Sequence, residues 1–234
     1  MKLEKMTDFF TARAEEYDEH MLCEVPGCRA GYIEMAKRLP EGISRLLDLG
    51  CGTGLELEPI FARFPELCVT GIDLTQEMLR RLADKFSEKN LRLICGDYLK
   101  CELGGDYDAA VSFQTMHHFT YEEKAGLYRR IYDAVRPGGI YIECDYMVTD
   151  PKEEAFYFAE NSRLRAEAGA KMDEYYHHDT PLTVQHQMQL LKEAGFIETE
   201  QVFREGNTTM LVCRKAGSAE EKERNFRQDD RTVL

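Results

Sequence analysis

LLDLGCGTG (46–54) decides the fold. An apolar run, extended to 44–50 as SRLLDLG, ends on glycine, as a buried parallel strand does at its carboxyl end. The glycines of Gly50-Cys-Gly-Thr-Gly54 let the backbone take turns barred to a Cβ and lie close to a ligand. A helix expected over 53–63 would present free N–H groups and a positive dipole end behind that turn. A dinucleotide site of the G-x-G-x-x-G kind wants its third glycine at position 55, where this chain has Leu55. The spacing therefore argues against pyrophosphate binding.

Strands and helices alternate on either side of this stretch. Leu67–Asp73 reads as a second strand, Gln76–Ser87 as a helix capped by Thr75, Leu91–Gly96 as a third strand and Asp108–Phe113 as a fourth. Thr120-Tyr-Glu-Glu123 is a capping box opening a helix to about Val135. Arg136-Pro-Gly-Gly139 reads as a turn before a fifth strand, Ile140–Tyr146. Asp150-Pro-Lys-Glu153 starts a helix to about Ala170. A Tyr/His-rich loop follows, then a helix over 183–194 closed by Gly195. Phe196–Arg204 and Thr208–Arg214 form a hairpin. Ahead of the first strand, 4–20 and 27–38 have helical spacing, with Phe9, Phe10, Ala14 and Tyr17 along one face. The pattern implies an α/β fold, a parallel sheet covered by helices on both faces. Ligands then bind beyond the carboxyl ends of the strands.

Two acids stand at such ends. Asp73, about 20 residues past the glycines, is placed to accept both hydrogen bonds of a ribose diol. Asp97 follows the third strand, where a carboxylate can accept an adenine amine proton. Either alone is as well explained as a helix cap.

With these residues in place, the sequence resembles the class I S-adenosylmethionine (SAM)-dependent methyltransferases. LLDLGCGTG (46–54), GIDLTQEML (71–79), CGDYL (95–99), YDAAVSFQTMHHF (107–119) and VRPGGIYIECDY (135–146) follow that family's motifs in order. The resemblance implies a Rossmann-like seven-stranded sheet of order 3-2-1-4-5-7-6 with strand seven antiparallel, SAM as cofactor and S-adenosylhomocysteine as product. It implies that Gly50, Cys51 and Gly52 border the methionine part, that Asp73 with Leu74 holds the ribose, and that Asp97 with Tyr98 flanks the adenine. Ser112 and Phe113 would lie beside the sulfonium. Tyr17 would fold over the cofactor from an N-terminal cap, residues 1–40. Residues 151–181 would form a lid, within one domain spanning 1–216.

Acceptor-side candidates are His177 and His178 first, then His118, with His117, Glu143, Asp145 and Tyr146 also in position to act as bases. Glu143 and Asp145 are read as lying on alternate faces of the fifth strand, so at most one of them is expected to face the pocket. No metal is assigned: beyond Asp145 and Asp179 there is no set of convergent oxygens, and His177, His178 and His186 read as a solvated loop. A small-molecule acceptor is the leading reading. A SAM-binding regulator would lack an acceptor pocket. A modified-SAM enzyme of tRNA-modification precursor synthesis would need an arginine near the methyl, with Arg163 and Arg165 as candidates.

Composition limits the partners. Across 234 residues the net charge is −13, a field that repels nucleic acid. No window is apolar enough to span a membrane, and MKLEKMTDFF lacks the apolar core of a signal peptide. A cytoplasmic monomer or homodimer is expected, with its 8 cysteines reduced and mostly buried and only Cys23 and Cys28 near the surface. The charged segment 217–234 lacks periodicity and reads as disordered.

Overall fold

The computed structural model describes residues 3–171 and 174–219. Seven strands form one sheet of order β3-β2-β1-β4-β5-β7-β6: β1 (Arg45–Leu49), β2 (Cys68–Asp73), β3 (Leu91–Cys95), β4 (Tyr107–Phe113), β5 (Val135–Tyr146), β6 (Glu198–Glu205) and β7 (Thr208–Arg214). β1 to β5 pair in parallel, and β7 runs antiparallel to both β5 and β6. This is the topology that the motif resemblance implied.

Strand alternation divides the core in two. Leu46, Val69, Ala109, Val111 and Ile142 face one side, packed with residues of α3 (Cys28–Arg38) and α4 (Leu57–Arg63). Leu47, Leu49, Ala110, Tyr141 and Leu211 face the other, packed with residues of α6 (Tyr121–Ala134) and α8 (Val184–Glu193). All of β4 is buried, as a central strand covered on both faces must be. The capping box at Thr120 forms as read. Asp150 caps α7 (Pro151–Ala168) by accepting from the Lys152 N–H.

Three boundaries differ from the sequence reading. The helix expected over 4–20 is broken into α1 (Met6–Arg13) and α2 (Tyr17–Cys23) by a turn closed from Glu16 N to Arg13 O at 3.2 Å. The helix expected from 53 starts at Leu57, because Thr53–Glu56 are used in tight turns. Arg136–Gly139 are not a separate turn but the first part of β5, where Gly138 takes a φ of +79° and bonds to Ala216 O. Thr75 precedes α5 (Gln76–Lys85), but its side chain makes no capping bond; Asp73 holds that end instead. Cys28 is buried, whereas Cys68 and Cys95 are exposed at strand ends. Most of the segment read as disordered, 220–234, lies outside the described residues. No helix among the described residues is long and apolar enough to cross a membrane.

Candidate active site

β1 delivers the chain to Gly50 at φ +69° and Gly52 at φ +47°, a left-handed conformation that a side chain strains. A Cβ at Gly50 would collide with the Thr115 hydroxyl. The bend is fixed from the neighbouring strand. Asp73 Oδ2 accepts from Gly52 N at 3.0 Å, and its Oδ1 accepts from Thr75 N at 2.8 Å. One carboxylate thus joins the glycine turn to the start of α5, and it retains lone pairs facing the cleft. Burial pushes its carboxyl up from the ordinary range, against the two N–H groups that hold it down. Asp97 Oδ1 accepts from Leu99 N at 2.9 Å. Asp73 therefore does hold a helix start, whereas Asp97 closes a turn with no helix behind it, and both line the cleft.

That cleft is lined by Gly50, Gly52, Asp73, Leu74, Asp97 and Tyr98, and roofed by Met6, Phe10, Tyr17 and Tyr175. The roof is tied down by a short antiparallel bridge, Lys5 to Tyr176, with Met6 N bonded to Tyr175 O and His177 N to Glu4 O. The Tyr98 hydroxyl pairs with Thr115 Oγ1 at 2.7 Å. Three expected residues turn their side chains elsewhere. Cys51 is buried under the loop against Gly71. Ser112 shares a buried 2.7 Å hydrogen bond with Tyr141. Phe113 packs on Tyr32 at 4.1 Å between ring centroids. The next two residues, Gln114 and Thr115, line the cleft in their place. Gln114 holds a φ of +50°, rare outside glycine, and its amide donates to Thr208 Oγ1 at 2.9 Å.

A second cavity, of about 930 Å³, opens behind this cleft, within the ordinary range for small-molecule sites. Phe10, Tyr17, Gln114 and His118 line both. His117, Tyr146, His177 and Asp179 line the second alone. His177 stacks on Phe9 at 3.5 Å and 7°, and burial lowers its pKa. His178 lines neither cavity; it is buried, with Nδ1 2.9 Å from Asp179 O. His186 sits on α8 with Glu154 at 2.7 Å.

Glu143 and Asp145 do not lie on alternate faces as read from the sequence: two residues apart on β5, they point to the same face of the sheet. Glu143 is sunk among Tyr128, Tyr141 and Gln187 and lines neither cavity. Burial drives its carboxyl up to about 7. Asp145 accepts from Met116 N at 2.6 Å and Tyr146 N at 2.7 Å, and it bonds His117 Nδ1. Burial opposes the charge on Asp145, but His117 and Lys124 outweigh it and hold its carboxyl below the usual range. Burial likewise opposes the proton on His117, and Asp145 overcomes it, so the His117 pKa is raised. Thr180 lashes the loop carrying Asp179 to this turn: its N–H and hydroxyl both donate to His117 O, and the hydroxyl also to Phe119 O.

The methyltransferase-domain family model matches residues 46–139, which run from β1 into β5 and include the glycine turn, Asp73, Asp97 and the histidine pair. These residues match a methyltransferase domain, and with the strand order described above they mark the class I SAM-dependent methyltransferase fold. The chain is 25% identical to the carboxy-S-adenosyl-L-methionine synthase of Nautilia profundicola over 226 residues, covering 91% of this chain and 96% of that one. It is 29% identical to malonyl-[acyl-carrier protein] O-methyltransferase 2 of Ilyobacter polytropus over 143 residues, covering 58% of this chain and 51% of that protein, so it spans about half that relative's length. Human N-acetylserotonin methyltransferase, solved in complex with SAM, has the same fold, with a TM-score of 0.60 at 19% identity over 90% of this chain and 55% of that one.

Proposed function

We propose that this methyltransferase binds SAM in the glycine-turn cleft and methylates a small organic molecule held in the cavity behind it. The observation that carries the reading is the shared wall: Phe10, Tyr17, Gln114 and His118 face both spaces, so a donor and an acceptor can meet there without crossing bulk water. The cleft suits SAM by its own features. Asp73 offers a carboxylate to a ribose diol beside a turn that only glycine fits, and Asp97 stands at the next strand end.

Bound SAM supplies a methyl group already activated by its positive sulfonium. What the chain adds is alignment and exclusion of water. Holding two reactants in line is worth roughly 7–11 kcal/mol of barrier. Met6, Phe10 and Tyr175 cover the cleft, and Tyr17 enters beside Gly52. The Asp145–His117 pair keeps one imidazole oriented at the cavity wall, where a base would contribute about 10²–10⁴-fold if the acceptor atom carries a proton.

The open second cavity speaks against a regulator without catalysis. The modified-SAM reading draws support from the relatives named as carboxy-SAM synthases. The arginines it would need lie elsewhere: Arg163 is paired with Glu160 and Glu167, and Arg165 is bonded to Lys171 O and Glu174 O. Arg13 does line the second cavity, but it is engaged by Glu4 and Phe9.

The test is incubation with SAM and a panel of amines, thiols, phenols and carboxylic acids, read by mass spectrometry. Formation of S-adenosylhomocysteine with a methylated acceptor is expected. A product heavier than SAM by a carboxylate would move the assignment to the modified-SAM class. No affinity for SAM or S-adenosylhomocysteine in calorimetry would overturn both.

A further inference from the structure

We propose that His117, His118 and Asp179 bind one divalent transition-metal ion, of the zinc or iron(II) kind, with its open positions facing the second cavity. Among the described residues these side chains bring three ligand atoms within 4.8 Å of one another. His117 Nε2 and His118 Nδ1 each stand 3.6 Å from Asp179 Oδ1. That is too long for a hydrogen bond, which wants about 2.7–3.2 Å. It is close to the spacing of donors around a shared ion, since metal–ligand bonds of about 2.0–2.2 Å place tetrahedral neighbours roughly 3.3–3.6 Å apart.

Two further observations point to a ligand there. His118 Nδ1 is buried and has no hydrogen-bond partner, although its side chain is only 4% exposed. A buried donor or acceptor is normally satisfied, and this one is aimed at the Asp179 carboxylate across a gap that an ion would fill. The second concerns the other imidazole. Asp145 takes His117 Nδ1 and is itself fixed by the N–H groups of Met116 and Tyr146, which leaves His117 Nε2 as the atom turned toward Asp179. A carboxylate behind a ligating histidine sets the tautomer and orientation that metal centres use. Two imidazoles and one carboxylate with vacant positions suit zinc or iron(II) over magnesium or calcium, which prefer all-oxygen shells.

This placement deepens the acceptor-site reading on which its function rests. The open positions of such an ion would take oxygen atoms of the acceptor, so the site selects a molecule presenting an enol, a phenol or a 2-oxo acid. The metal would hold that oxygen as its anion, taking the place of a general base at His117, and Asp145 would fix the geometry of the His117 ligand.

The experiment uses untagged full-length protein stripped with chelator and titrated with Zn²⁺ by calorimetry and with Co²⁺ by visible absorption. One equivalent of tight binding and a Co²⁺ ligand-field band are expected. His118→Ala and Asp179→Ala should each weaken Zn²⁺ binding at least tenfold and abolish the band, while His186→Ala, a histidine paired elsewhere, should change neither. Circular dichroism melts establish that the variants are folded, and Asp179→Asn supplies an isosteric second test. No stoichiometric binding, or binding indifferent to His118 and Asp179, overturns the site. SAM affinity measured on the metal-free protein is independent of this outcome: if SAM binds and the metal does not, only the metal site fails, and if SAM does not bind, the proposed function fails on its own.

Discussion

Asp73 does two jobs with one carboxylate. It holds Gly52 N and Thr75 N, and it faces the space beside them. Asp73→Ala should reduce SAM affinity by at least tenfold in calorimetry. It should also lower stability by about 1 kcal/mol in urea denaturation, because the start of α5 loses the acceptor that Thr75 does not replace. Gly50→Ala imposes a Cβ on a residue at φ +69° and drives it into Thr115. Loss of SAM binding is expected, with a fall in stability of more than about 1 kcal/mol. Glu143 is a case where titration is the signature. Burial raises its carboxyl to about 7 in the fold, against about 4.3 in an unfolded chain. The folded state therefore keeps a proton that the unfolded state has lost, and stability falls as pH rises from about 4.5 through 7, by up to about 1.4 kcal/mol per unit. Glu143→Gln should remove this slope. Wild type and variant are compared by urea denaturation at pH 5 and pH 7.5, and a constant difference between them would show that Glu143 does not titrate there.

Among the elements, α1 is lightly held. It has eight residues, no side-chain cap and only Met6 buried, too little for a helix that must stand by itself. Its place over the cleft depends on the Lys5–Tyr176 bridge and the stacking of Phe9 on His177. Residues 5–13 and 174–177 should therefore exchange amide hydrogens quickly in the free protein and gain protection together when S-adenosylhomocysteine binds. Hydrogen-exchange mass spectrometry reads this directly, and protection confined to β1 and α5 would show that α1 takes no part. Helical spacing made α1 visible in the sequence, but not its break from α2. The turn at Arg13–Glu16 places Phe10 over the cleft and Tyr17 against Gly52, a requirement set by the cleft and not by local propensity.

For the molecule as a whole, the cofactor cleft and the cavity behind it lie at one edge of the sheet, where β1, β2, β3 and β4 end. Binding there is linked to global folding. SAM at 100 times its Kd should stabilise the fold by about 2.7 kcal/mol. For a domain of this size that is a rise of roughly 5–10 °C in melting temperature, measurable by scanning fluorimetry. No shift at saturating SAM would contradict the cleft assignment.

The sequence by itself determined the alternation of strands and helices, the glycine turn and the two acids at successive strand tips. Each of these is local: periodicity, backbone freedom and short spacing are written in consecutive residues. Tertiary structure decided which side chains face inward at the end of β4. A strand's final residues alternate faces, and whether Ser112 and Phe113 or Gln114 and Thr115 meet the cleft depends on Tyr141 and Tyr32 from other elements. It also decided the meeting of His117 and His118 with Asp179, some sixty residues away, through the hydrogen bonds of Thr180. No spacing rule reaches across that distance, because only packing brings the two segments together.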